Sequence, residues 1–169
     1  MGYADIANLY KATEILLFRR GYALEKIHGT SASVLWREDR VNFSSGGEKH
    51  ERFAALFDPA VLAKTFDAQF GKEEVRVHGE AYGGKQQGMS HTYGSNLKFV
   101  VFDIKVGECW LSVLKAEAVT SALGLEFVHY VEIPTDLEAI DAERDADSVQ
   151  AVRNGVGPGK MREGVVLRP

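Results

Sequence analysis

The sequence predicts an α+β fold, and two features of its element pattern lead to that prediction. A β-hairpin is indicated early in the chain, where two strand-like segments flank the two-residue turn Glu38-Asp39. After it, segments with apolar residues at helical spacing are interspersed with further strand-like segments, without the regular βαβ alternation of a parallel sheet. This order favours α+β over a doubly wound fold.

In the first half of the chain, three strands are predicted before two packing helices and one strand after them. Residues 4–18 carry apolar side chains at mixed spacing, so a short helix and an irregular lead-in both remain open. Helical spacing begins after the hairpin, and Pro59 is well placed to start the second helix. The predicted strands cover residues 21–24, 33–37, 40–44 and 75–80, and the predicted helices cover residues 48–57 and 60–70.

The second half contains the most strand-like segment of the chain, residues 97–106, which is predicted to lie centrally in a sheet. Asp103 interrupts this apolar run, and a carboxylate there is costly unless it is paired or faces a site. Asp103 therefore indicates a cleft, with a water-facing edge position as the alternative. The other predicted elements are a helix over residues 112–123, a strand over 125–131, two helices between 134 and 153, and a last strand over 163–167.

Composition limits the class of protein. With 169 residues and 45% hydrophobic content, the chain can bury one sizeable core, so residues 1–169 are predicted to form a single domain. The one cysteine, Cys109, excludes an internal disulfide, and the apolar run at residues 15–18 is too short for a signal or membrane segment. A cytoplasmic protein without a membrane partner is expected. Because the net charge is -4, a polynucleotide would have to be held by a local basic patch or a bound metal.

The stretch around Lys26 carries the chemistry that the sequence suggests. Lys26 lies between two predicted strands and is followed by Gly29 and by small residues. Glycine lets the backbone approach a ligand closely, and a partly desolvated lysine can lose its proton and act as a nucleophile. Taken by itself this motif is weak, since a solvated lysine beside a turn glycine has the same pattern.

Other common motifs are missing from the sequence. The glycine-rich loop at residues 83–88 lacks the spacing of a Walker loop or a Rossmann turn. None of the five histidines has zinc-like spacing with cysteine, and no His-Glu-x-x-His motif occurs. A structural zinc site is therefore not predicted.

Four segments, in chain order, resemble the motifs of the covalent nucleotidyltransferases, which comprise the ATP-dependent DNA and RNA ligases and the mRNA capping enzymes. The segments are Glu25-Lys26-Ile27-His28-Gly29, residues 78–84, residues 99–104 and residues 163–167. His28 stands where DNA ligases usually carry aspartate, so the sequence resembles the RNA ligase 2 family within this group. The resemblance implies an adenylation domain of antiparallel sheets flanked by helices, with an ATP cleft between them.

The resemblance also implies a role for each motif residue. Lys26 would take up AMP from ATP, with His28 acting near the phosphates in that step, and Glu80 would contact the ribose and the reacting centre. Phe102 would stack on the adenine, and Glu163 would bind Mg2+. The nucleotide-binding residues would be Glu25, Ile27, Gly29, Glu80, Phe102 and Asp103.

The alternation of a strand assigns the adenine to Phe102 rather than to Phe99. Side chains alternate between the two faces of a strand, so Phe99 and Val101 are predicted to face one way, and Val100, Phe102 and Ile104 the other.

The implied function is that of an ATP-dependent RNA ligase, acting as a monomer in RNA repair. It would form a lysyl-AMP intermediate, pass AMP to an RNA 5′-phosphate, and join that end to a 3′-hydroxyl, with ATP and Mg2+ as cofactors. A DNA ligase is the alternative within the enzymes. A catalytically impaired remnant that binds nucleotide or nucleic acid is the alternative outside them.

Two departures from the family pattern bear on this expectation. The family's closing strand, with two lysines separated by one residue, and its C-terminal domain are not in residues 1–169, so the chain is expected to be truncated or impaired, with the Glu163 strand frayed. The basic residue that often stands near Ser45 in the family is also missing, since Lys49 and Arg52 come only later. The phosphate contact from that segment is left open.

Overall fold

Two antiparallel β-sheets form the framework of the protein. A computed structural model describes residues 2–169. The strands are β1 (Arg20–Lys26), β2 (Thr30–Arg37), β3 (Arg40–Ser45), β4 (Val75–Tyr82), β5 (Lys98–Val106), β6 (Cys109–Trp110), β7 (Tyr130–Pro134) and β8 (Gly164–Arg168). Five of them form one sheet in the order β3-β2-β4-β5-β6, and three form a smaller sheet in the order β7-β1-β8. The predicted α+β class, with antiparallel sheets and flanking helices, is confirmed.

Six α-helices and two 3-10 helices accompany the sheets within residues 2–169. The α-helices are α1 (His50–Ala54), α2 (Pro59–Phe70), α3 (Ser90–Tyr93), α4 (Val113–Ala122), α5 (Leu137–Arg144) and α6 (Val149–Arg153), and the 3-10 helices are Glu14–Leu17 and Gln86–Gly88. The longer ones begin with side-chain caps, as when Asp58 accepts a hydrogen bond from the Val61 amide ahead of Pro59. Within residues 2–169, every helix is too short or too polar to cross a membrane.

Local sequence explains the best-defined parts of the larger sheet. Glu38 and Asp39 have φ values of 52° and 58°, as a two-residue hairpin turn of matching twist requires. One face of this sheet is buried under α2, where Trp36 stacks on Phe66 at 5.7 Å. The hairpin and the helix begun by Pro59 were both predicted correctly.

Three predictions about strands were wrong. The strand expected over residues 125–131 begins only at Tyr130, because Phe127 makes a single bridge to Val101 before the chain crosses into the smaller sheet. The central strand of the larger sheet is β4 rather than β5, whose outer neighbour β6 has two residues. The strand after Glu163 is not frayed, since β8 pairs with β1 from Gly164 to Arg168.

A β-bulge in β5 changes the predicted alternation of side chains. His78 of β4 pairs with Asp103 and Gly79 pairs with Val101, so Phe102 is an extra residue without a partner. Phe102 and Asp103 consequently lie on the same face of the sheet, whereas Ile104 is buried on the opposite face beside its partner Val77. The prediction that Ile104 shares a face with Phe102 was therefore wrong.

Candidate active site

A cavity of about 330 Å³ lies between the two sheets. The smaller sheet contributes Lys26 and Val166 to its lining, and the larger sheet contributes Glu80 and Phe102. Residues 3–6 of the N-terminal segment complete the wall. The cavity thus combines aromatic rings, aliphatic side chains, a lysine and carboxylates, which is the composition expected of a small-molecule site.

Lys26 and Glu163 form an ion pair at this site. Lys26 is the last residue of β1 and pairs with Gly164, the first residue of β8, so the strand register brings Glu163 alongside. The distance between Lys26 Nζ and Glu163 Oε1 is 2.6 Å, and the two side chains are 42% and 30% exposed. The amine is therefore accessible to a ligand while it is held by a carboxylate.

Glu80 is half-buried in β4 and faces the same cavity. Burial raises the pKa of its carboxyl to about 7; the Gly29 amide and the Lys26 charge lower this pKa, and the Glu163 charge raises it. Glu80 Oε1 accepts a hydrogen bond from the Gly29 amide at 3.1 Å. Any side chain at Gly29 would collide with the Ala81 carbonyl oxygen, because an added Cβ would lie 2.2 Å from it. The glycine thus allows the loop after Lys26 to reach Glu80.

The two phenylalanines of β5 lie on different faces of the sheet. Phe102 lines the cavity, as the β8 residue Val166 does. Phe99 packs into a separate cluster, with its ring centroid 5.3 Å from that of Phe53 and 5.5 Å from that of Phe57. The structure therefore places Phe102, and not Phe99, where a base could stack.

Asp103 lies behind the cavity wall rather than in it. Its carboxylate is 3% exposed and accepts hydrogen bonds from Arg168 Nη1 at 2.7 Å and from the Tyr3 hydroxyl at 2.8 Å. Burial raises the pKa of Asp103, and the Arg168 charge and the Tyr3 hydrogen bond oppose that rise. Tyr3 and Arg168 themselves line the cavity. Asp103 thus positions two cavity residues from different ends of the chain.

The remaining motif residues are placed around Lys26 in different ways. Ile27 is buried and lines the cavity. Glu25 borders it, but its buried carboxylate accepts hydrogen bonds from the Ser148 hydroxyl and from two amides at the start of α6. His28 is half-exposed, its amide donates to the Tyr93 hydroxyl at 3.2 Å, and it does not line the cavity. The structure therefore gives Glu25 a structural role, and its contact with the nucleotide stays a prediction.

Metal ligands at the site are few. Within residues 2–169, no group of three or more His, Cys, Asp or Glu side chains is arranged to hold a metal ion. Magnesium that arrives with a triphosphate needs only one or two protein carboxylates, because phosphate oxygens and water supply the other ligands. Glu163 and Glu80 meet that requirement. The described residues do not offer enough ligands to bind a metal without the phosphates.

Sequence reasoning missed Tyr3, Arg168 and Val166. Val166 lies inside the last motif, and Arg168 is a cation that ends an apolar strand, so both carried a signal that was not used. Tyr3 carried none, because it contacts Asp103 across a separation of 100 residues. Its ring also packs edge-on against Phe102, with centroids 5.0 Å apart.

Comparisons with known proteins identify a family and a fold. The family model described as RNA ligase matches residues 21–169. A comparison with curated proteins gave no significant match. Among solved structures, the chain is similar to a Naegleria gruberi RNA ligase variant with AMP and Mn and to the same ligase with PPi, each with a TM-score of 0.75 and 16% identity. A variant of that ligase with ATP and Mn gives a TM-score of 0.74 and 15% identity.

These solved structures extend well beyond the matched part. Each of the three alignments covers 99% of this chain and 52% of the ligase chain, so the chain spans about half the length of the structures that it matches. At this level of identity the likeness establishes the fold, which is that of the ligase's matched half.

Proposed function

The chain belongs to the RNA ligase family, and from that premise we propose that it is an adenylation domain that transfers AMP from ATP to its own Lys26 and then to RNA. The observation that carries the proposal is the Lys26–Glu163 ion pair beside a cavity lined by Phe102 and Glu80. This arrangement brings an amine, an aromatic ring and two carboxylates together at one cleft, which supports the proposal.

The first chemical step is attack of Lys26 Nζ on the α-phosphorus of ATP. A bond between nitrogen and phosphorus forms, and the bond to the departing pyrophosphate breaks. The ammonium must first lose a proton, and the Glu163 carboxylate, 2.6 Å from Nζ, is in place to accept it. Lys26 at the end of a paired strand is held in one position, which favours in-line attack.

The other cavity residues position the nucleotide. Phe102 provides a face for the adenine, and Glu80, bound to the Gly29 amide, is placed to accept a hydrogen bond from the ribose. Glu163 and Glu80 would hold Mg2+ together with the phosphates, and the ion would offset negative charge on them. ATP, AMP, PPi and Mn are present in the similar ligase structures, which supports this ligand set.

The later steps concern RNA. AMP passes from Lys26 to a 5′-phosphate, and the 3′-hydroxyl of a second end displaces AMP to form the phosphodiester bond. The RNA ligase family model favours RNA over DNA as the substrate. Comparing AMP transfer to 5′-phosphorylated RNA and DNA strands of the same sequence tests this choice, and preferential transfer to DNA would overturn it.

The first step is tested by the intact mass of the protein after incubation with ATP and magnesium. We expect a mass increase of one AMP that is lost in Lys26→Ala. Lys26→Arg should also fail, because its guanidinium stays protonated. Lys85→Ala removes an exposed lysine outside the cavity and is the matched control that should keep the adduct. An adduct that persists in Lys26→Ala would overturn the assignment, and ATP binding without any adduct in the unchanged protein would indicate a non-covalent nucleotide-binding protein.

A further inference from the structure

A second pocket adjoins the nucleotide cavity on the same face of the larger sheet. It has a volume of about 220 Å³ and shares Tyr3 and Ser31 with the cavity. We call it the serine pocket, and it is defined by Ser31, Ser33, Ser44, Ser45, Arg76 and His78. No carboxylate of residues 2–169 lines it. Its chemistry is therefore that of an anion-binding site, with hydroxyls and one guanidinium.

The strand register explains how these side chains come together. Ser33 of β2 pairs with Ser44 on one side and with His78 on the other, so the three side chains lie side by side on one face. Arg76 is two residues from His78 in β4 and points to the same face. Ser31 pairs with Glu80, which joins the pocket to the nucleotide cavity.

Two nearly buried polar side chains of the serine pocket have no hydrogen-bond partner among residues 2–169. Ser33 is 8% exposed and His78 is 4% exposed. No hydrogen bond within residues 2–169 engages the Ser33 hydroxyl or the His78 imidazole, and the carboxylate of Asp103, which pairs with His78 in the sheet, is bound to Tyr3 and Arg168 instead. Within residues 2–169, Gln150 Oε1 is the one fully buried side-chain polar atom without a hydrogen-bond partner, so the polar atoms of Ser33 and His78 are open to the serine pocket, where a ligand can reach them.

The electrostatic surroundings favour an anion. Arg76 is half-buried, and no carboxylate of residues 2–169 lies within ion-pair distance of it. Burial, followed by the Arg76 and Lys105 charges, lowers the pKa of His78 to about 4. His78 is therefore neutral at pH 7, with one donor nitrogen and one acceptor nitrogen. Arg76 also supplies a basic group close to Ser45, where the sequence seemed to lack one.

An exposed aromatic side chain lies beside the pocket. Trp110 is 45% exposed, and its ring centroid is 5.3 Å from that of His78 and 5.5 Å from that of Tyr3. Lys105 Nζ lies 5.8 Å from the centroid of the Trp110 ring. Lys105 is itself paired with Glu108 at 2.9 Å, so the basic character of this face comes from Arg76. An accessible aromatic ring beside a cationic group is typical of proteins that bind single-stranded nucleic acid, because each base can stack on the ring.

We propose that the serine pocket binds a backbone phosphate of the RNA substrate strand and that Trp110 stacks on a neighbouring base. The inference rests on the proposed function for its choice of RNA. Arg76 lies four residues along β4 from Glu80, a span of about 13 Å. The two pockets share only Tyr3 and Ser31, so the serine pocket is a site separate from the cavity proposed for ATP.

The test is the affinity of the full chain for a fluorescent, 5′-phosphorylated, single-stranded RNA, measured by anisotropy over a range of salt concentrations. Arg76→Ala should weaken binding about ten-fold, as expected for loss of a charged hydrogen bond. The slope of log affinity against log salt should become shallower by about 0.7. Trp110→Ala should weaken binding about ten-fold or more with the slope unchanged. Lys64 is an exposed residue of α2 that lines neither pocket. Lys64→Ala is the control and should change neither the affinity nor the salt slope.

The outcomes separate this inference from the proposed function. The inference would be overturned if both Arg76→Ala and Trp110→Ala bind RNA with wild-type affinity while their melting temperatures show that they are folded. Failure of the unchanged chain to bind RNA would also overturn it. A raised ATP requirement for Lys26 labelling in Arg76→Ala, with unchanged RNA affinity, would assign the pocket to the triphosphate and also overturn it. Failure of Lys26 labelling in the unchanged chain would overturn the proposed function alone, because the RNA measurement does not need adenylation.

Discussion

Lys26 Nζ and Glu163 Oε1 are 2.6 Å apart, so the candidate nucleophile and the candidate metal ligand form one ion pair. The pair depends on the register of β1 and β8, in which Lys26 lies opposite Gly164. Glu163 therefore has two proposed tasks, which are to accept the lysine proton and to share the metal with the phosphates. Substitution of Glu163 should affect both.

Glu163→Gln should slow adenylation of Lys26 roughly 100-fold, the lower range for loss of a general base, and should raise the magnesium concentration that is needed. The sequence alone suggested a small effect in this chain because the last strand was expected to fray, whereas β8 is paired along its length. The measurement is the rate of labelling by ATP as magnesium is varied. Glu108→Gln, which removes an exposed carboxylate paired with Lys105, is the control. Equal rates for Glu163→Gln and the unchanged protein would make Glu163 an ordinary strand-end carboxylate.

Phe102→Ala should weaken ATP binding about ten-fold or more, because stacking on a base contributes roughly 1–3 kcal/mol. Phe99→Ala is its matched control in the same strand, and it should lower the melting temperature instead, since Phe99 packs against Phe53 and Phe57. Calorimetric titration with ATP and thermal unfolding of both variants separate the two effects. A larger loss of ATP affinity in Phe99→Ala than in Phe102→Ala would contradict the placement of the adenine.

Glu25→Ala should destabilise the fold by about 3 kcal/mol, because the change leaves the Ser148 hydroxyl and the Val149 and Gln150 amides without their buried acceptor. Urea unfolding measures the loss. Glu132→Ala is the control, since it removes an exposed glutamate paired with Arg20, and exposed pairs contribute about 0–1 kcal/mol. If Glu25→Ala loses ATP affinity with unchanged stability, Glu25 acts on the nucleotide as the motif suggested.

The sequence predicted those parts of the fold that depend on local chemistry. The hairpin at Glu38-Asp39 and the helix begun by Pro59 follow from turn and helix-start preferences, and the structure has both. Alternation also placed Phe102 and Phe99 on different faces correctly. It failed at Ile104, because the bulge at Phe102 inserts one residue and no local pattern marks it.

The parts of the site that the sequence did not predict depend on contacts between distant segments. Nothing near Glu25 indicates that the start of α6 will meet its carboxylate. Likewise, the buried carboxylate of Asp103 is paired rather than exposed to the cavity, and its partners Tyr3 and Arg168 come from the two ends of the described chain. Residues from all four motif segments line the cavity between the sheets, whereas the serine pocket depends on the alignment of β2, β3 and β4.

The last prediction concerns the buried carboxyl of Glu80, whose pKa of about 7 exceeds its ordinary value of 4.5. Between these pH values the folded chain holds a proton that the unfolded chain has released, so the contribution of Glu80 to stability is complete below about pH 4.5 and is lost as the pH rises through about 7. Glu80→Gln cannot titrate and keeps an oxygen for the Gly29 amide. The free energy of unfolding of Glu80→Gln, minus that of the unchanged protein, should therefore rise from about pH 4.5 to about pH 7 and then level off.

Urea unfolding of both proteins across that range measures this difference, in which the opposing titration of His78 and of other shared groups largely cancels. Glu108→Gln is the control. Hydrogen bonding to Lys105 lowers the pKa of Glu108, so the charged carboxyl stabilises the folded chain. The free energy of unfolding of Glu108→Gln should therefore fall relative to the unchanged protein as the pH rises and Glu108 ionises, which is the opposite direction to Glu80→Gln. A difference for Glu80→Gln that stays flat with pH would mean that the Glu80 carboxyl ionises as it does in the unfolded chain. In that case Glu80 would be charged at pH 7. The proposed contact with the ribose would then involve a fully ionised carboxylate, not a carboxyl that is only partly ionised.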